Sequence, residues 1–308
     1  MRVIDVHVHM FPDDVSRDYL DHYVEISGQS LLCEDPSFAG LKDAYRNCEV
    51  LSYVILGQWE STREFDSEHL TFVADSDLYY AKHYFYTYHG WLSKMQEDHE
   101  EVVCFGNVHP DDPAMMKAFD SMLHESNLKG MKLVPCMQFY RLNDKRLFPA
   151  YERAAAQGVP VILHTGGDPI PGRETYGHPR DVDDVSSAFP ELRIVMAHLG
   201  APFFEETRQV LAKHENVYTD LSFAIDYEEV MKFARRHRMP DVARMSRSDF
   251  SAGISAFISQ YGYERVLYGS DFPYARPQDA LDGVLELGIP DEAKEMILWK
   301  NAKEVLEL

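Results

Sequence analysis

The stretch Val3-Ile4-Asp5-Val6-His7-Val8-His9 is a short apolar, β-branched run that closes on two histidines two residues apart. On a strand, residues i and i+2 point to the same side, so one strand can offer two imidazoles to one ion. Three more runs end alike: Val161-Ile162-Leu163-His164, Ile194-Val195-Met196-Ala197-His198 and Val266-Leu267-Tyr268-Gly269-Ser270-Asp271. A lone histidine at a strand end is more often a hydrogen-bonding core residue than a ligand. His7, His9, His164, His198 and Asp271, on four strand ends, outweigh that reading and predict a hydrolytic metal site.

Working outward, strand-like runs fall near residues 3–8, 50–57, 102–108, 129–134, 159–164, 193–198, 216–221 and 265–270. Amphipathic or helix-forming stretches lie between them, at Pro113–Glu125, Leu147–Gln157, Val182–Phe189, Phe203–His214 and Tyr227–Arg236. Eight strands alternating with helices predict a parallel α/β barrel. An open doubly wound sheet is the alternative, weakened because His9-Met10-Phe11-Pro12 follows the first strand where a glycine-rich phosphate turn would stand. Gly158 after Gln157 reads as a helix C-terminal glycine, and Pro110-Asp111-Asp112-Pro113 as a turn with an acidic helix start. With no repeat, low-complexity tract or linker, residues 1–308 are expected to form one domain.

Two segments exceed what a minimal barrel needs, residues 10–48 and 58–100. The second carries Tyr79, Tyr80, His83, Tyr84, Tyr86, Tyr88, His89 and Trp91. Long loops after barrel strands usually shape the pocket. For most of these aromatics, packing on the barrel or against a dimer partner is the better expectation, and a homodimer through this insertion stays open.

Fifty-one acidic against 30 basic residues give a formal charge of −21, which argues against nucleic acid or anionic membrane as the partner. An anionic small substrate is still compatible, because a cationic pocket can sit inside an acidic protein. The start Met1-Arg2-Val3-Ile4-Asp5 has no apolar signal-peptide region, and no run approaches the roughly 20 apolar residues of a membrane span. Cys33, Cys48, Cys104 and Cys136 show no CxxC spacing and read as free thiols in a reducing cytoplasm.

Active sites of such barrels lie at the carboxyl ends of the strands, where these five residues would converge. Imidazoles plus a carboxylate, with an open position for water, suit zinc or a similar divalent ion. Such an ion lowers the pKa of its water toward about 7, and a carboxylate touching that water can carry its proton.

The chain resembles the amidohydrolase superfamily, in particular the branch containing aminocarboxymuconate semialdehyde decarboxylase and related metal-dependent hydrolases. The similarity rests on Ile4–His9, Phe105-Gly106-Asn107-Val108-His109-Pro110, Gly130-Met131-Lys132-Leu133-Val134-Pro135, Val161–Gly166, Phe189–Gly200, Leu267–Pro273 and Ile297–Ala302. It covers nearly the whole chain; residues 10–100 are the least typical. The resemblance implies a distorted (β/α)8 barrel in which His7, His9, His164 and Asp271 bind one divalent metal, zinc or alternatively manganese. It also implies that His198 orients or deprotonates the metal's water or polarises the substrate, and that Asp271 shuttles the proton. Binuclear members carry a carboxylated, metal-bridging lysine on strand four, where Lys132 stands. One metal and an unmodified lysine paired with a carboxylate such as Asp5, or with an anionic substrate, is the expectation here.

Asp5 shares a strand face with His7 and His9 and is expected to point inward as a hydrogen-bonding residue. Arg141, Arg173, His178, Arg180 and Arg276, in loops after strands four, five and eight, are candidates for a substrate carboxylate, although most loop arginines are only solvated. Tyr140 and Trp59 are candidate aromatic walls. Hydrolysis of a small amide, ester or lactone is the expected reaction. Non-oxidative decarboxylation of an aromatic or enoic acid is the alternative, and a non-catalytic metal-binding barrel is a third.

Overall fold

In its computed structural model the chain is described at residues 1–12, 16, 20, 21, 23–25, 27, 33–58, 84–167, 176–236 and 238–308. Eight strands form one parallel sheet in sequential order: β1 (Arg2–Val8), β2 (Glu49–Leu56), β3 (Val102–Gly106), β4 (Gly130–Leu133), β5 (Val161–Leu163), β6 (Ile194–Met196), β7 (Val217–Asp220) and β8 (Val266–Leu267). Each coincides with a run expected from the sequence. The seam between β8 and β1 is closed by backbone bonds from Val6 N to Tyr268 O (3.0 Å) and from Asp271 N to His7 O (2.9 Å). A bridge between Val8 and Phe272 continues it. The result is a (β/α)8 barrel.

Helices follow the strands in alternation: α1 (Phe38–Ala44), α2 (Tyr84–Asp98), α3 (Met115–His124), α4 (Pro135–Gln138), α5 (Phe148–Gln157), α6 (Pro179–Ala188), α7 (Phe204–Lys213) and α8 (Tyr227–Arg236). After them come α9 (Pro240–Ala243), α10 (Arg247–Tyr261), α11 (Pro277–Leu285), α12 (Asp291–Glu295) and α13 (Asn301–Val305). Gly158 ends α5 with φ +67°, the left-handed conformation in which glycine has no side chain to strain. Among the described residues no helix is long and apolar enough to cross a membrane. Trp59, Tyr79, Tyr80, His83 and Arg173 lie outside the described residues.

Strand alternation divides the apolar side chains into two layers. Ile4, Val6, Val54, Leu56, Phe105, Ile162, Val195 and Leu267 fill the barrel interior, with Ala302 and Val305 of α13 packed among them. Val3, Tyr53, Ile55, Cys104, Met131, Leu133 and Tyr268 face the surrounding helices. Burying each large aliphatic side chain contributes about 1.5–3 kcal/mol, so both layers hold the strands in register.

The first strand departs from strict alternation. Its pairing with β2 shifts register between Asp5 and Val8. Asp5, expected to share the inward face of the histidines, instead lies in the helix-facing layer against Tyr45 and Tyr268. The irregularity turns His7 and His9 toward the barrel mouth while Ile4 and Val6 remain inside.

Candidate metal centre

His7 and His9 come together at the mouth with their Nε2 atoms 3.1 Å apart, and Asp271 Oδ1 lies 3.6 and 3.7 Å from them. Each far nitrogen meets an acceptor. His7 Nδ1 donates to Asp220 Oδ2 (2.9 Å) and His9 Nδ1 to the carbonyl of Leu56 (3.2 Å). Those partners fix the tautomers, leaving both Nε2 atoms as lone pairs aimed at one another beside a carboxylate. Two nitrogens held about 2.0–2.1 Å from a tetrahedral ion would stand roughly 3.3 Å apart, so this donor set fits a divalent metal. Burial also holds both imidazoles well below their usual pKa, with further lowering by Lys132 and neighbouring histidines. They are therefore neutral, as ligands must be.

The other histidines form a chain with the same outcome. Ser222 donates its hydroxyl to Asp220 Oδ1, so its oxygen faces His198 Nδ1 (2.9 Å) as an acceptor, and its carbonyl lies 3.2 Å from the same nitrogen. His198 Nε2 then accepts from His164 Nδ1 at 3.1 Å. That leaves His164 Nε2 buried, as a lone pair without a hydrogen-bond partner among the described residues. A buried, unsatisfied nitrogen is expensive, and a cation would satisfy it. His164 does not join the two tight groups, His7/His9/Asp271 and His7/His198/Asp220, whose ligand atoms lie within 4.8 Å of one another.

Lys132 is fully buried with Nζ 3.2 Å from His7 Nε2. Burial pushes its pKa down, against the opposing pull of Asp220 and Asp271, and pushes the Asp271 carboxyl up, against the pull of Lys132. The expected pairing of Lys132 with Asp5 is absent. Asp5 accepts instead from the N–H groups of Ser270 (2.9 Å) and His7 (3.2 Å) and from the Tyr45 hydroxyl (2.7 Å). Burial lifts Asp5 to about 6. Its carboxyl staples β1 to the chain after β8, and so sets His7 against Asp271.

The backbone bends sharply at the site. His198, Phe223 and Asp271 have φ of +60°, +56° and +64°, a region that costs a non-glycine residue of order 1 kcal/mol and recurs where side chains must be aimed at a ligand. Gly269 permits the close seam between β8 and β1, because a Cβ there would stand 2.6 Å from His7 Cβ.

His9, His164, His198 and Asp271 line a pocket enclosing roughly 680 Å³, its open mouth included, with Tyr23, Phe223, Phe233 and Tyr274 among its walls. Of the loop residues expected to bind substrate, those among the described residues make other contacts. Arg141 forms a two-pronged pair with the buried Asp181, its Nε 3.0 Å from Oδ2. His178 caps α6, accepting from Arg180 N (3.2 Å), and Arg180 itself is exposed beside Glu206. Tyr140 is buried, donating to Gln138 Oε1 (2.9 Å), and Arg276 precedes α11; neither lines the pocket. Sequence reading missed Asp220, Ser222, Glu229 and the aromatic walls. Asp220 ends the run Val217-Tyr218-Thr219-Asp220, so the strand-end rule that selected the histidines could have found it.

These features describe a (β/α)8 barrel whose mouth carries a donor set that fits a divalent metal. A family model described as amidohydrolase matches residues 4–308. The chain belongs to the amidohydrolase family. No curated protein sequence matches it. Among solved structures, an uncharacterized TIM-barrel protein from Bordetella bronchiseptica is 19% identical with a TM-score of 0.70, over 100% of this chain and 99% of that one. The 5-carboxyvanillate decarboxylase of Sphingomonas paucimobilis is 14% identical with a TM-score of 0.63, over 100% and 99%. A dihydroxybenzoic acid decarboxylase from Polaromonas, with bound manganese and the inhibitor 2-nitroresorcinol, is 13% identical with a TM-score of 0.61, over 100% and 96%. At these identities the likeness shows the shared fold.

Proposed function

We propose that the protein is a metal-dependent decarboxylase of a small, flat carboxylic acid, with His7, His9, His164 and Asp271 holding one divalent ion. The observation that carries this reading is the pocket wall. Tyr23, Phe223, Phe233 and Tyr274 suit a planar substrate, while none of the described lining residues is a lysine or arginine. A substrate carboxylate thus finds its counter-charge at the donor cluster rather than on the walls. Two fold relatives, the 5-carboxyvanillate decarboxylase and the dihydroxybenzoic acid decarboxylase, act on flat carboxylic acids of this kind.

Bound in this donor set, a divalent ion such as zinc or manganese would supply a Lewis-acid contact for a carboxylate or a water. Asp220 keeps His7 in the tautomer that presents Nε2. Asp271, whose Oδ1 lies 3.6 and 3.7 Å from the Nε2 atoms of His7 and His9, is the carboxyl placed to carry a proton to the carbon losing carbon dioxide. His198, held by Ser222 and against His164, orients the substrate at the pocket edge.

Hydrolysis of an amide, ester or lactone is the second reading, favoured by the same Asp271 carboxyl, which as a carboxylate would accept the proton of an attacking water. The two separate on manganese- or zinc-loaded protein incubated with hydroxy- and aminobenzoates and, in parallel, with aryl esters and lactones. Carbon dioxide release from a benzoate supports the first. Turnover of esters or lactones alone replaces it with the second.

A further inference from the structure

The wall of the pocket formed by α8 carries an acid, Glu229, that stands outside the donor cluster. Glu229 and Phe233, one helical turn apart, both line the pocket, and the Phe223 ring stands edge-on to Phe233 with centroids 6.0 Å apart. Glu229 is 8% exposed. Its backbone N–H is donated to Asp226 Oδ1 (3.1 Å), and its Oε1 accepts from Lys232 Nζ (2.5 Å). Lys232 is 59% exposed, so it approaches from the solvent side. A carboxylate offers about four lone-pair directions, and a single ammonium contact leaves others open.

Charge makes this position informative. Glu229 and Asp271 are the acids lining the pocket, and no described lining residue is a lysine or arginine. Asp271 belongs to the donor cluster. A largely buried carboxylate costs free energy that one half-exposed lysine recovers poorly. An apolar residue would pack the same face of α8 at lower cost, so packing does not account for the acid. A carboxylate beside two phenyl rings is, however, a good receptor for a nitrogen cation, which gains both the charge and the ring faces.

We propose that Glu229 is a substrate-recognition residue that selects an amine- or amidine-type cation on a flat apolar body lying against Phe223 and Phe233. This rests on the reading of the pocket as the substrate site. It narrows the substrate class to flat acids that also carry a nitrogen donor, with the carboxylate toward His7, His9 and Asp271 and the nitrogen toward α8.

The test needs binding alone. Benzamidine, a flat cation, and benzyl alcohol, its neutral counterpart, are titrated by calorimetry into metal-loaded wild type, Glu229→Gln and Lys232→Met. Benzamidine should bind the wild type, at least tenfold more weakly Glu229→Gln, and more tightly Lys232→Met, where the carboxylate has lost its competing partner. Benzyl alcohol should change less than twofold throughout. Failure of benzamidine to bind the wild type overturns the proposal. So does an equal loss of both probes in the two variants, which is what an ion pair that merely anchors α8 produces. Because no turnover is measured, the outcome is independent of whether the enzyme decarboxylates.

Discussion

Asp220 Oδ2 accepts the Nδ1 proton of His7 across 2.9 Å, with both side chains fully buried. The other oxygen, Oδ1, accepts from the backbone N–H of His198 (3.0 Å) and of Ser222 (3.1 Å) and from the Ser222 hydroxyl. One carboxylate on β7 thereby sets the tautomer of His7 on β1 and the backbone that aims a histidine after β6. Desolvating a carboxylate is costly unless its lone pairs are filled, and here four donors fill them.

Replacing Asp220 by asparagine keeps the shape but removes the charge and lets the amide present a donor to His7. Metal affinity should fall about 10–100-fold, the usual effect of losing a hydrogen-bond partner behind a ligand. Competition with a chromophoric chelator measures this directly, while far-UV circular dichroism checks the fold. Wild-type affinity in the variant would show that Asp220 does not control His7.

Removing the metal should lower stability as well as activity. An ion that binds only the folded state adds about 2.7 kcal/mol when present at 100 times its dissociation constant. Dialysis against dipicolinate should therefore lower the melting temperature by a few degrees, and zinc or manganese should restore it. In His9→Ala, which deletes one of the two facing Nε2 atoms, the added ion should produce little or no rise.

The strand ends were legible because a polar ligand residue closing an apolar run contrasts with its surroundings. All eight strands and the convergence of His7, His9, His198 and Asp271 follow from that contrast. The orientation of Asp5 was not legible, since one register irregularity in β1 reverses the face on which a residue lies. Arg141 could not be separated from a substrate ligand either, because its partner Asp181 is 40 residues away and only the folded chain brings them together. Glu229 looks like any acid in the first turn of a helix until α8 is laid against the barrel mouth.

His89 supplies a pH dependence remote from the donor cluster. Its Nε2 accepts from Asn107 N–H (3.1 Å), and burial lowers its pKa from 6.5 to about 4. The native state thus keeps His89 neutral where the unfolded chain already binds a proton. Its contribution is fully present above pH 6.5 and is lost as the pH falls toward 4. Between pH 7 and pH 5 this amounts to about 2 kcal/mol. Glutamine can still accept from Asn107 but cannot titrate, so His89→Gln should lose that much less stability than the wild type over this interval in urea melts. An identical pH slope in both proteins would remove His89 from this role.

The seam between β8 and β1 offers a steric test. Gly269 lies between the backbone bonds Val6 N to Tyr268 O and Asp271 N to His7 O, and a methyl group there would press on His7 Cβ at 2.6 Å. Neither strand can retreat without breaking those bonds or tilting the imidazole away from His9 and Asp271. Gly269→Ala should cost about 1–3 kcal/mol, the usual price of overpacking, and weaken metal binding at least tenfold. Gly253 in α10 is the control: the nearest atom to an added methyl is Met245 Cε at 3.9 Å. There alanine should be neutral or add up to about 1 kcal/mol, because the helix gains a better former. Urea midpoints and chelator competition on the two variants separate a tight seam from a generic intolerance of glycine substitution. If Gly269→Ala matches Gly253→Ala in both measurements, His7 is not held by the closeness of the two strands.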